Sequence, residues 1–146
     1  NLMISLNIIK NYVHLHKIKK LKTCRIINFG SIYGSVSPNF HIYKKGDRFN
    51  SEIYGATKAS IIQLTKYLGA LYANKKIFIN CISPGGTIDK TVKISKSFKS
   101  RYFSKVPIKR MANPDELITA IMYLASSYST YTIGQNVIVD GGYTAW

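Results

Sequence analysis

The chain has 146 residues, 46% of them hydrophobic, 12% aromatic and 18% charged, which supplies one buried core and leaves no room for two comfortable domains. Lys and Arg total 21 against 6 Asp and Glu, a net charge of +15, and residues 1–46 contain no carboxylate, so nucleic acid or another polyanion stays open as a partner. Two cysteines, Cys24 and Cys81, exclude a disulfide-dense scaffold, and no apolar run reaches the roughly 18 residues of a membrane span.

In chain order, Leu2, Leu6, Ile9 and Val13 recur at helical spacing, with Lys10, Lys17, Lys19 and Lys20 on the polar side. That helix is already under way at Asn1, which is not an initiator Met, so the chain reads as a piece of something longer. Arg25–Phe29 is a short apolar run ending at Gly30, the pattern of a buried strand. Residues 31–50, with Gly34, Pro38 and Gly46, read as a long loop, and a helix is expected from Ser51 to about Ala73. Ile77–Ile82 is a second buried strand, stopped by Pro84-Gly85-Gly86. Residues 87–110 are Lys-rich and weakly patterned, the look of a mobile flap with a helical piece. Asn113-Pro114-Asp115-Glu116 opens a helix running to about Ala125, with a capping residue, Pro in the first turn and two acids at the positive end of the dipole. Asn136–Val139 is a last strand, closed by Asp140-Gly141-Gly142. Helices alternating with short continuous apolar strands predict an α/β fold, a parallel sheet covered on both faces.

Tyr54 and Lys58 are one helical turn apart and share a face. A free phenol, with its pKa near ~10, is a poor acid–base catalyst at neutral pH, and an ammonium beside it favours the phenolate. The pair therefore suits proton exchange with an alcohol or carbonyl oxygen. With 11 tyrosines in a lysine-rich chain, roughly one such spacing is expected by chance, and a second exists at Tyr72–Lys76, which reads as surface. Context separates the two. The first pair stands in Tyr54-Gly-Ala-Thr-Lys58-Ala-Ser, after a strand leading to Ser31 and before one ending Asn80-Cys-Ile-Ser-Pro-Gly85. In a parallel sheet the carboxyl ends of the strands line one edge, where ligands bind, so these groups converge there.

These motifs, with Gly134-Gln-Asn-Val-Ile-Val-Asp-Gly-Gly142 near the end, resemble the C-terminal portion of a short-chain dehydrogenase/reductase across nearly the whole chain. The resemblance implies the C-terminal part of a Rossmann-type doubly wound sheet, a single partial domain over 1–146, with the N-terminal βαβ dinucleotide half missing. It implies an NAD(P)-dependent oxidoreductase interconverting a secondary alcohol and a ketone, with NAD or NADP as cofactor. Carried over by position, Tyr54 is the general acid/base, and Lys58 supports it and binds the nicotinamide ribose. Ser31 holds the substrate oxygen, and Asn1 supports a proton-relay water. Pro84, Gly85, Gly86 and Thr87 form the turn beside the nicotinamide. Family members are cytoplasmic and commonly form dimers or tetramers, for which Tyr143 and Trp146 are candidate contact residues.

The chain also departs from the pattern. The threonine usual five positions after the proline is Asp89 here, leaving Thr87 or Thr91 to supply a hydroxyl. None of the ten glycines forms the Gly-rich phosphate-binding turn, so this chain alone is expected to be inactive. Ser31 and Tyr54 lie 23 positions apart, more than the family usually shows, and the extra segment brings His41, Tyr43 and Arg48 as candidate substrate contacts. That loop and the ending Gly-Gly-Tyr-Thr-Ala-Trp146 resemble reductases of flagellin-modification or surface-polysaccharide sugar biosynthesis, hence a sugar-derived substrate. Cys24 and Cys81 read as reduced buried thiols, and the scattered His and Cys offer no metal site. Two other readings stay open at this level: an inactive truncated fragment that aggregates through its uncovered sheet edge, and a basic nucleic-acid-binding module supported by charge alone.

Overall fold

A computed structural model describes residues 2–47 and 49–146; Asn1 and Arg48, both candidates above, lie outside the described residues. Helices α1 (Leu2–Ile18), α2 (Glu52–Tyr72), α3 (Lys96–Lys105) and α4 (Ile118–Ala125) alternate with strands β1 (Cys24–Phe29), β2 (Ile77–Pro84) and β3 (Asn136–Val139). The strands form a parallel sheet in the order β1-β2-β3, with Cys24 opposite Ile77 and Cys81 opposite Asn136. The α/β, partly Rossmann-like reading of the sequence therefore holds. The 31–50 loop contains two short 3₁₀ turns, Ile32–Gly34 and Phe40–Ile42.

Period-two alternation sorts the strand residues onto two faces. Ile77 and Ile79 join Ile9 of α1 and Leu68 of α2 in a buried cluster, with Cys24 and Ile26 packed against it. Cys81 continues that face against Ile61 and Ile62 of α2. The alternate residues point the other way: Arg25 stacks its guanidinium 4.9 Å from the Phe78 ring centroid and donates to the Ser127 carbonyl just beyond α4. Two helices thus cover one face and α4 the other. Polar side chains inside the sheet are paired: Asn80 donates to the Thr132 carbonyl and accepts the Gln135 N–H, fixing the loop before β3, and Ser83 donates to Asn136 Oδ1 at 2.7 Å.

The segment after β2 is ordered by specific contacts. Ser95 caps α3 by accepting the Phe98 N–H at 3.2 Å, and Ile42, Tyr102, Val106 and Met111 form a separate buried cluster. The helical opening at Asn113 starts as a 3₁₀ turn, Pro114–Leu117, before α4. The Glu116 carboxylate accepts the Asn113 N–H at 2.8 Å and takes a two-pronged bond from Arg110. Those contacts hold its pKa well below the usual range, at about 2. Among the described residues no helix is long and apolar enough to cross a membrane, and no group of three or more His, Cys, Asp or Glu is placed to hold a metal ion.

Candidate active site

The carboxyl ends of β1 and β2 are locked side by side, because the Gly30 N–H donates to the Ile82 carbonyl at 2.8 Å. Gly30 has no alternative there, since a Cβ would lie 2.5 Å from Ser83 Oγ. This juxtaposition puts Ser31 next to the turn that begins at Pro84. Ser31 is buried and caps the first 3₁₀ turn, its Oγ accepting the Tyr33 N–H at 3.2 Å. A hydroxyl that accepts one bond still keeps its proton to donate.

Helix α2 starts at this edge, with Glu52 in its first turn and Tyr54 and Lys58 half-buried one turn apart. Lys58 reaches back across the end of β1, where Nζ donates to the Phe29 carbonyl at 2.8 Å. The same Nζ lies 5.7 Å from the centroid of the Tyr54 ring. The small residues around the pair have a packing role: a Cβ on Gly34 would lie 2.7 Å from the Lys58 carbonyl carbon, and one on Gly55 would lie 2.9 Å from the Tyr33 carbonyl oxygen. The loop carrying Ser31 therefore presses directly on the backbone of α2. Beside Tyr54 opens a cavity of about 450 Å³, walled by Tyr33, Val36, Pro38, Phe40 and Phe49, with Glu52 at its rim.

The segment Pro84–Thr87 leaves β2 outside the wall of that cavity. The Gly86 N–H donates to the Tyr102 hydroxyl at 2.8 Å, and a Cβ on Gly86 would collide with that phenol. Thr87 donates its hydroxyl to the Gly85 carbonyl at 3.3 Å and pairs with Ala112 in an isolated parallel bridge. Thr91 is engaged by Asp89, whose Oδ1 accepts both its N–H and its hydroxyl, at 2.8 and 2.6 Å. Those two bonds hold the Asp89 carboxyl below its ordinary pKa. Of the two threonines offered in place of the usual one, Thr87 thus lies in the turn and Thr91 is spent on Asp89.

The two candidates from the long loop are placed differently. His41 is exposed and does not line the cavity; its N–H donates to Asn39 Oδ1 within the local turn. Tyr43 is half-buried in an aromatic cluster, its hydroxyl 3.4 Å from that of Tyr33 and its ring 5.3 Å from Phe98. Tyr102 stacks on Tyr143 at 5.7 Å, so Tyr143 packs within its own chain, while Trp146 is exposed. Burial is the main cause that drives the phenols of Tyr33 and Tyr143 above their ordinary pKa and pushes Tyr102 up to about 12. Sequence reasoning passed over Tyr33, Phe40 and Phe49, because no periodicity marks loop residues that meet only in the fold, and over Tyr102, which lies on α3 in the weakly patterned 87–110 segment.

A family model described as enoyl-(acyl carrier protein) reductase matches residues 16–144. The NADH-dependent L-xylulose reductase of Ambrosiozyma monospora is 33% identical over 131 residues, covering 86% of this chain and 45% of that enzyme. A D-arabinitol 2-dehydrogenase (ribulose-forming) of Candida albicans is 39% identical over 99 residues, 64% of this chain and 35% of that enzyme. A crystal structure of a short-chain dehydrogenase from Leptospira borgpetersenii with bound NAD+ superposes with a TM-score of 0.79 at 43% identity, covering 90% of this chain and 48% of that one. This chain thus spans between about a third and about half the length of these relatives. It belongs to the short-chain dehydrogenase/reductase family.

Proposed function

We propose that this member of the family forms the catalytic portion of an NAD(P)-dependent oxidoreductase that interconverts a secondary alcohol and a ketone on a polyhydroxylated substrate. One observation carries the reading: Tyr54 opens onto a cavity of about 450 Å³ while Lys58, one turn on, is pinned to the Phe29 carbonyl at the sheet's carboxyl edge. In oxidation the Tyr54 oxygen takes the hydroxyl proton of the substrate; in reduction it returns that proton to the carbonyl oxygen. Ser31 supplies a hydrogen bond to the same substrate oxygen. The nicotinamide, when bound, accepts or supplies the hydride at carbon.

The residues present suit the nicotinamide end of the dinucleotide. Lys58 spends one of its three ammonium donors on Phe29, which leaves two for ribose hydroxyls. The turn at Pro84, Gly85, Gly86 and Thr87 flanks that position, and Asn1, assigned to a proton-relay water, lies outside the described residues. These 146 residues contain no Gly-rich turn to cradle the pyrophosphate. Relatives named for D-arabinitol and L-xylulose support a polyol or ketose as substrate. The narrower surface-sugar assignment rests only on the long loop and the C-terminal Gly-Gly-Tyr-Thr-Ala-Trp146, and neither Tyr43 nor His41 of that loop lines the cavity beside Tyr54.

The family match favours this reading over a basic nucleic-acid module. Free thiols at Cys24 and Cys81 support a reducing cytoplasmic setting, and the exposed apolar residues Ile53, Tyr67 and Leu71 on α2 support a homo-oligomer. The test is turnover of D-arabinitol or L-xylulose with NAD or NADP by the protein as its gene encodes it. Tyr54→Phe should abolish turnover while cofactor binding persists; a fully active variant would overturn the assignment.

A further inference from the structure

The loop between Ser31 and α2 and the segment after β2 are fastened to each other through one side chain. Arg101, midway along α3, donates through Nε to the Ile42 carbonyl at 2.6 Å and pairs through Nη2 with the Asp47 carboxylate. Both side chains are largely out of water, at 21% and 16% exposure. Asp47 also accepts the Lys44 N–H at 2.8 Å, closing a turn whose own N–H returns to the Lys44 carbonyl at 2.9 Å. One guanidinium therefore grips the loop at two points five residues apart. The planar fork matters here, because a single ammonium cannot reach a carbonyl and a carboxylate in two fixed directions.

Apolar contacts follow the same path. Ile42, 2% exposed, packs with Tyr102, Val106 and Met111, and the Tyr43 ring lies 5.3 Å from Phe98 and 5.6 Å from Phe49. Phe49 then meets Phe40 edge-on at 6.2 Å, and these two rings wall the cavity beside Tyr54.

We infer that Arg101 is a positioning residue for the substrate cavity, holding the loop from Phe40 to Phe49 against α3 so that Phe40 and Phe49 stay in place as its wall. Its catalytic consequence rests on the Tyr54 reading above. The wall faces the substrate body and not the reacting oxygen, so loosening it raises KM more than it lowers kcat.

Hydrogen–deuterium exchange on the protein as its gene encodes it tests the inference without needing turnover. In Arg101→Met, amides of residues 36–50 should exchange about tenfold faster or more, while those of β1, β2 and β3 keep their rates. Arg101→Lys should restore only part of that protection. With D-arabinitol or L-xylulose as the probe substrate, KM should rise about tenfold with kcat nearly kept. Unchanged exchange over 36–50, or a loss confined to kcat, overturns the inference. If Arg101→Met loosens the whole sheet, Asp47→Asn decides: faster exchange over 36–50 alone supports the clamp, and no change there removes it. A protein whose Tyr54 proves dispensable would still show the loosening, so the two failures are told apart.

Discussion

Helix α2 carries a tyrosine followed four residues later by a lysine at each of its ends. At the first end, Tyr54 borders a cavity, and Lys58 bends back over the carboxyl end of β1 to the Phe29 carbonyl. At the other, Tyr72 packs against the cluster of Ile9, Leu68, Ile77 and Ile79, and the ammonium over its ring belongs to Lys75, 5.4 Å from the centroid. Lys76 is exposed and lies past the helix, in left-handed conformation at φ 57°, so it no longer shares a face with Tyr72. The same spacing thus gives a poised pair at one end and a helix stop at the other. What distinguishes them is the end of the sheet each meets: the N-terminus of α2 sits over the carboxyl ends of the strands, where chain turns leave room for a ligand, and its C-terminus runs directly into β2.

The sharpest break of that comparison is chemical. Tyr54→Phe should lower kcat by about 10²–10⁴-fold or more, whereas Tyr72→Phe should leave it within about twofold, both measured by cofactor absorbance on the protein as encoded. Lys58→Met should follow with a loss of about 10²-fold, because it removes the donor beside Tyr54 together with the tie to Phe29. Equal losses at Tyr54 and Tyr72 would erase the distinction between the two ends.

That distinction was legible in the sequence because strands and helices announce themselves by period, and Tyr54 could be placed by the strands on either side of it. Ile77–Ile82 and Asn136–Val139 emerged as strands from their apolar runs, and the start of the last helix came from Asn113-Pro114-Asp115-Glu116. The segments 31–50 and 87–110 were less legible for a physical reason. Their order comes from Tyr43 on Phe98, Tyr102 on Tyr143 and Arg101 on Asp47, contacts that join α3 to loop segments distant in sequence and that no local pattern encodes. The helical piece expected within 87–110 is α3, and it carries the residues that tie this segment to the 31–50 loop. Charge behaved similarly. Net charge said nothing of where the six carboxylates sit, yet all of them fall in the loops leaving β1, β2 and β3 or in the helix starts that follow. Four are used as braces: Asp47 on Arg101, Asp89 on Thr91, Glu116 on Arg110 and Asp140 on Thr144.

A backbone test of the comparison gives a smaller effect. At the first end of α2, Gly34 faces helix backbone: an added Cβ would stand 2.7 and 2.8 Å from the Lys58 carbonyl carbon and the Ala59 nitrogen. Neither atom can swing aside as a side-chain tip would. Gly34→Ala should therefore cost about 1–3 kcal/mol of stability, and lift the Ser31 turn away from Tyr54 enough to reduce turnover. Urea unfolding and steady-state kinetics on the same variant check both parts. Full activity at wild-type stability would show that the close approach is dispensable.

The smallest expected effect lies at the other end, and its sign is the informative part. Lys76 adopts φ 57° and ψ 34°, a conformation that costs an L-residue roughly 1–2 kcal/mol, while its side chain projects into water. Its backbone must stay as it is, since its N–H donates to the Ala73 carbonyl and its carbonyl accepts the Cys24 N–H at 3.1 Å, joining the end of α2 to the start of β1. Lys76→Gly keeps both bonds and relieves the strain, but frees the unfolded chain by about 0.5–1 kcal/mol. The balance is a stabilisation of up to about 1 kcal/mol, read as a rise in Tm with kinetics unchanged. A drop in activity would mean that the Lys76 ammonium does more than end a helix, and the two ends of α2 would then have to be compared again.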